Sequence, residues 1–139
     1  MGNLGNLHPL LVHFPIALVL TAAAAELAAI FWPGRIWHAV GVINVRAGSV
    51  SGVFTAIAGW LLAASPGVEP TSQLQWHRWT GIAGAVIATL AALLSLAVTK
   101  EALGLTRAYR LALFGAALLV AVAGHLGGTL VWGSPFQQF

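Results

Sequence analysis

The residues best suited to chemistry in this chain are its five histidines, because it has no cysteine and only three acidic residues. Any metal or cofactor must therefore be held mainly by imidazole, with carboxylate as the other possible ligand. Neutral imidazole nitrogens ligate zinc, copper and haem iron. The positions to be placed in a fold are His8, His13, His38, His77 and His125.

The elements that must position these histidines are membrane-spanning helices. Apolar residues make up 59% of the 139 residues and charged residues only 6%, and the apolar residues fall into runs of about the 20 residues needed to cross a bilayer. Helices satisfy their own backbone hydrogen bonds in lipid. The sequence predicts an all-α, integral membrane four-helix up-down bundle, a single transmembrane domain over residues 1–139 with helices at about 9–31, 37–64, 72–99 and 110–132.

The basic residues predict the orientation of this bundle. Arg35, Lys100, Arg107 and Arg110 fall at one end of the predicted bundle, and Arg78 falls alone at the other. Since cytoplasmic loops are enriched in Lys and Arg, we expect both termini outside the cytoplasm, in a bacterial cytoplasmic membrane. The net charge of +3 is small and spread over segment ends, which does not favour a nucleic-acid partner.

The up-down order brings most histidines to one membrane face. His8, His13, His77 and His125 are expected at the outer face, whereas His38 is expected alone at the inner face. The first and third spans are diagonal neighbours in such a bundle, so His13 and His77 can approach one iron from opposite sides as axial ligands of haem b. His125 is the alternative to His77 as a ligand, or a hydrogen-bonding residue.

Small and basic residues beside these histidines suit a flat cofactor. Gly124, Gly127 and Gly128 remove side chains from the helix surface around His125, which leaves room for a planar group or another helix. Arg78, next to His77, is expected to contact a haem propionate or a lipid headgroup.

Two other features lie within the predicted spans. Glu26 and Arg46 fall in the inner half of the first and second spans, and we expect them to form an ion pair because a lone charge there is costly. Pro15 cannot donate a hydrogen bond to the Leu11 carbonyl, so the first span is expected to bend there.

Three segments resemble a known family. The stretches LHPLLVHFPIA at 7–17, LQWHRW at 74–79 and GHLGG at 124–128 are similar to those of the DUF2231 group of small bacterial four-helix membrane proteins. Its members look like cytochrome b-type or redox-associated membrane subunits, some of them fused to or encoded near c-type cytochrome domains. The resemblance implies haem redox work in this chain.

The resulting expectation is a membrane-embedded b-type haem protein. It would transfer electrons near the outer face, between a quinol or partner subunit and a periplasmic carrier such as cytochrome c, as a subunit and not as a stand-alone enzyme. One alternative is a zinc or copper site built from His8, His13, His77 and His125. Another is a structural or pigment-binding subunit of a larger membrane complex.

Overall fold

The structure is a computed structural model that describes residues 4–33, 35–98 and 103–133, with only the backbone of Arg35. Lys100, used above for orientation, and Thr99, the expected end of the third span, lie outside the described residues. Within these ranges the chain consists of helices joined by short turns.

The helices form the up-down bundle that the sequence predicts. A 3-10 turn, Leu4–Leu7, precedes α1 (His8–Leu11), α2 (His13–Phe31), α3 (Arg35–Ala63), α4 (Ser72–Ala97) and α5 (Leu103–Trp132). In the described part of the chain, four stretches are long and apolar enough to cross a membrane: Leu4–Phe31, Ile36–Ala63, Ser72–Leu94 and Leu103–Trp132. The chain is therefore a multi-pass membrane protein with four candidate spans.

One boundary differs clearly from its predicted place. The last helix begins at Leu103 and not near Arg110, because Arg107 and Arg110 can extend the helix beyond the hydrocarbon and keep their charges at the interface. At the opposite end of the bundle, Thr71 caps α4 by accepting a hydrogen bond from the Leu74 amide at 3.2 Å. The preceding turn contains Gly67, whose φ of 87° favours glycine.

Small residues let neighbouring helices approach closely. A Cβ on Gly48 would lie 2.9 Å from Val19 of α2, and one on Gly84 would lie 3.1 Å from Val120 of α5. Such contacts replace the hydrophobic effect as the cause of helix association in lipid. The core is correspondingly rich in alanine, and its packed members are Val19, Ala22, Val45, Ala88, Ala91, Tyr109, Leu113, Ala116, Ala117 and Val120.

The first span is interrupted where proline predicts a bend. Helix α1 ends at Leu11 and α2 begins at His13, with Val12 in a turn. Pro15 has no amide hydrogen for the Leu11 carbonyl, and the Thr55 hydroxyl of α3 donates to that carbonyl instead at 3.3 Å. The replacement bond attaches the start of the first span to α3.

The two ends of the bundle differ in composition. We call the end that contains the starts of α1 and α4 and the ends of α3 and α5 the histidine end. The opposite end, with the ends of α2 and α4 and the starts of α3 and α5, is the arginine end. Exposed tryptophans lie at both ends, as expected at membrane interfaces: Trp32 and Trp37 at the arginine end, and Trp60, Trp76, Trp79 and Trp132 at the histidine end.

Candidate functional site

The histidine end brings two imidazoles together across the bundle. The ring centroids of His8 and His77 are 6.0 Å apart, and the ring planes meet at 77°. Both residues are partly buried. His8 belongs to the first span and His77 to the third, so the pair bridges the diagonal of the bundle. We call these two residues the histidine pair.

His8 is held against the neighbouring helix α3. Its Nδ1 donates a hydrogen bond to the carbonyl oxygen of Thr55 at 3.0 Å. The ring lies over Gly59, where an added Cβ would be 2.7 Å from the imidazole Cε1. Because a carbonyl can only accept, the bond assigns the proton to Nδ1 and leaves Nε2 with a lone pair.

His77 is held in the same way by α5. Its Nδ1 donates to the Ala123 carbonyl at 2.9 Å, and its Cε1 would lie 2.9 Å from a Cβ on Gly127. In both cases the glycine comes four residues after the carbonyl that accepts the bond. Each imidazole thus occupies the space of a missing side chain, with Nε2 left as a ligand atom.

His13 does not take part in this pair, and its predicted facing is corrected here. It is exposed on the outside of the bundle, and its Nδ1 contacts only the nearby Leu10 carbonyl at 3.4 Å. A helix turns by about 100° per residue, so five residues place His13 roughly 140° around the helix from His8. With His8 facing inward, His13 must face outward. Its predicted role as a ligand is not tested by this placement.

His125 is also exposed, two residues beyond the carbonyl that binds His77. Of the glycines around it, Gly127 contacts the histidine pair, a Cβ on Gly124 would lie 3.3 Å from Ile16, and nothing lies within 4 Å of a Cβ on Gly128. The expected planar group beside His125 would therefore lie on the outer surface of α5. The cofactor-binding role of these residues remains a prediction.

Arg78 lies at the histidine end with an aromatic partner. Its guanidinium carbon is 4.0 Å from the centre of the Trp60 ring, a cation–π distance. Trp60 also contacts Trp79 edge to face, with centroids 6.4 Å apart. This contact leaves the predicted bond from Arg78 to a propionate or phosphate untested.

The four histidines predicted for a zinc or copper centre do not converge. Among the residues that the structure describes, no group of three or more histidine, aspartate or glutamate side chains is placed to hold a metal ion. Structural zinc sites use four protein ligands and catalytic ones about three. The histidine pair alone supplies two.

A second polar cluster occupies the arginine end. The Glu26 side chain is 0% exposed; its Oε1 accepts from His38 Nδ1, and its Oε2 accepts from Arg110 Nε at 2.9 Å. Gly41 lies close to the carboxylate, since a Cβ there would be 3.0 Å from Oε1. The ring of Tyr109 packs edge to face against His38 at 5.9 Å.

One prediction about this end is wrong. Glu26 pairs with Arg110 and not with Arg46, whose guanidinium donates to Ser95 Oγ at 2.9 Å and to the Ser95 carbonyl at 3.1 Å. Arg46 lies on the exposed surface of α3, toward α4, whereas Glu26 faces the interior from α2. His38, the one histidine expected at this end, is a partner of Glu26.

A repeated spacing could have indicated the histidine pair. His8 precedes Gly59 by 51 residues and His77 precedes Gly127 by 50. Two equivalent helix hairpins would give nearly equal separations between a histidine at the start of one span and a glycine late in the next, as these are. The predicted partner of His77 in the first span is His13, whereas the structure brings His77 next to His8.

Comparison with known proteins agrees with this architecture. No curated protein and no solved structure matches the chain. A family model described as a predicted membrane protein matches residues 5–136, which include both histidines of the pair and all four spans. The chain belongs to the DUF2231 family.

Proposed function

We propose that the chain binds one b-type haem through His8 and His77 and transfers electrons at the histidine end of the membrane. The observation that carries this proposal is the pair itself: two imidazoles on diagonal helices, each with Nδ1 bonded to a backbone carbonyl. A hydrogen bond of this kind sets the tautomer and orientation of metal-ligating histidines in general.

The donor set and its spacing fit haem iron. An imidazole nitrogen binds a metal at about 2.0 Å, and the ring centre lies roughly 1 Å behind it, so two axial imidazoles have centres about 6 Å apart. The observed centroid separation is 6.0 Å. Haem, when bound, supplies a one-electron carrier. Its porphyrin balances the charge of the iron, which the histidine pair has no carboxylate to balance.

The protein's own residues would hold and orient this group. Thr55 and Ala123 offer the carbonyls that orient the ligands, and Gly59 and Gly127 leave space for the rings. The Arg78 guanidinium beside Trp60 is available at the same end for a propionate. The basicity of the imidazoles and their low solvent access would be the main determinants of the reduction potential of a haem held here.

One haem per chain is the proposed content. At the arginine end, His38 is bonded to Glu26 and has no second imidazole near it among the described residues. A chain that holds a single haem is better suited to be an electron-transfer subunit than a stand-alone enzyme. Its partners would be a quinol or another membrane subunit on one side and a periplasmic carrier such as cytochrome c on the other.

Absorption spectra of the detergent-purified protein test the proposal. We expect a low-spin b-type spectrum that changes on reduction, with one haem per chain. His77→Ala should abolish the low-spin signal, whereas His125→Ala should retain it because that side chain is outside the pair. A colourless protein containing zinc or copper, or a long-wavelength pigment band, would contradict the proposal in favour of the metal-site or pigment alternative.

A further inference from the structure

The exposed side of the seam between α3 and α4 carries an arginine that has no acidic partner among the described residues. Arg46 uses its Nε and one Nη2 hydrogen on Ser95, which leaves three of its five N–H donors for other acceptors. In the described part of the chain, no carboxylate lies within ion-pair distance of it, since Glu26 pairs with His38 and Arg110. A cation exposed on a membrane-spanning helix needs an anion or water.

The Arg46 guanidinium lies closer to the arginine end than its backbone does. Arg46 is eleven residues into α3, about 16 Å from the start of that helix at 1.5 Å per residue. Its partner Ser95 is two residues from the end of α4, or about 3 Å. The side chain therefore extends toward the arginine end and presents its charge near the interface.

An apolar groove lies on the same seam, nearer the middle of the membrane. It has a volume of about 350 Å³ and is lined by Val53, Ala56, Ile57, Ile82, Ala85, Val86 and Thr89. The Thr89 hydroxyl donates to the Ala85 carbonyl at 2.8 Å, so its hydrogen is not offered to an occupant. The groove suits a hydrocarbon chain and offers no polar anchor of its own.

The groove begins within the depth of one lipid leaflet. Thr89 and Ile82 are six and thirteen residues from Ser95 along α4, or about 9 and 20 Å. One leaflet provides about 15 Å of a hydrocarbon core that is roughly 30 Å thick. A headgroup at Arg46 would thus place its acyl chain against the nearer part of the groove, around Thr89.

We propose that this seam is a binding site for one anionic phospholipid. Its phosphate would accept charge-assisted hydrogen bonds from Arg46, and one acyl chain would occupy the α3–α4 groove. The arginine end is the one that the basic residues assign to the cytoplasm, where the leaflet carries anionic lipids. The inference is independent of haem binding.

Native mass spectrometry of the detergent-purified full chain tests the site. The protein is titrated with phosphatidylglycerol and, separately, with phosphatidylcholine that has the same acyl chains. We expect one phosphatidylglycerol per chain and an affinity about tenfold above that for phosphatidylcholine, because both lipids carry the phosphate but choline adds a positive charge beside the guanidinium. Arg46→Gln should remove this preference.

Matched variants separate the two parts of the site. Arg107→Gln, an exposed arginine at the same end, should keep the preference for phosphatidylglycerol. Ala56→Phe fills the groove and should weaken both lipids, whereas Ala121→Phe, on the exposed surface of α5, should weaken neither. If the wild-type protein shows no preference for phosphatidylglycerol, or Arg46→Gln keeps it, the proposal is overturned; the wild-type comparison decides even if a variant fails to fold.

Discussion

At the scale of single residues, the histidine pair depends on two glycines as much as on the imidazoles. Gly59 and Gly127 lie directly under the rings of His8 and His77, and a Cβ at either position would be less than 3.0 Å from a ring atom. A contact that short requires the ring or the helix to move. The hydrogen bonds from Nδ1 to the carbonyls one turn earlier hold each ring in this position.

Replacing these glycines with alanine should therefore destabilise the bundle. We expect Gly59→Ala and Gly127→Ala each to lower the free energy of unfolding by about 1–3 kcal/mol, the usual cost of overpacking. The measurement is reversible unfolding in mixed micelles followed by circular dichroism. Gly128→Ala is the matched control, because nothing lies within 4 Å of its Cβ position, and it should be neutral or slightly stabilising. Equal effects at Gly127 and Gly128 would contradict the contact.

At the scale of the elements, Glu26 connects three helices. It extends from α2, accepts a hydrogen bond from His38 of α3 and pairs with Arg110 of α5. The carboxylate is completely buried, while the Arg110 side chain is 30% exposed. If Glu26 is removed, water can still solvate the partly exposed Arg110 guanidinium. If Arg110 is removed, the buried Glu26 carboxylate has no water to take the place of its partner.

This difference in exposure predicts the effect of removing one partner of the Glu26–Arg110 ion pair. Arg110→Leu should lower the free energy of unfolding by about 2–4 kcal/mol, somewhat below the cost of breaking a fully buried pair, because it leaves a buried carboxylate. The double variant Arg110→Leu with Glu26→Gln should be more stable than Arg110→Leu alone. Both are measured by the same unfolding assay.

Arg107→Leu serves as the control for this comparison. Arg107 lies one turn away on the same helix and is exposed, so its loss should change stability by less than about 0.5 kcal/mol. A double variant less stable than Arg110→Leu would show that Glu26 is not paired through Arg110.

At the scale of the whole molecule, the distribution of charge predicts the orientation. Arg107 and Arg110 lie at the arginine end, where α3 also begins at Arg35, and Arg78 lies at the histidine end. The positive-inside rule places the arginine end in the cytoplasm and both termini outside. The orientation also decides whether the proposed haem faces the periplasm.

Reporter fusions after Phe139 measure this orientation. We expect a C-terminal alkaline phosphatase to be active, since it folds only after export, and a C-terminal green fluorescent protein exported through the same route to be dark. A fusion in the turn after Ala63, also at the histidine end, should behave like the C-terminal one. Bright cytoplasmic fluorescence from the C-terminal fusion would reverse the assignment.

The sequence predicts the bundle well because the main determinants are local. Long apolar runs set the spans, Pro15 sets the break in the first one, and the Ser65–Gly67 turn sets the connection before α4. The site is harder to predict because it depends on rotation about each helix axis. The apolar residues surround these helices on all sides, so periodicity does not show which side faces inward.

The undetermined rotation of each helix explains the two wrong predictions, which concern the facing of His13 and the partner of Glu26. His8 and His13 lie one and a half turns apart, and only the break at Val12 and the contact with Thr55 show that His8 faces inward. Glu26 has two possible arginine partners on adjacent helices, and their facing selects Arg110. Long-range contacts decide both cases.

The most direct test of the histidine pair compares His8→Ala with His13→Ala in the purified protein. Both residues are in the first span near the same membrane face, but only His8 contacts His77. Reduced-minus-oxidised absorption spectra, with the haem content per chain, are measured for each variant. We predict that His8→Ala loses the low-spin haem signal and that His13→Ala retains it at the wild-type level. Retention by His8→Ala together with loss in His13→Ala would contradict the proposed ligand pair.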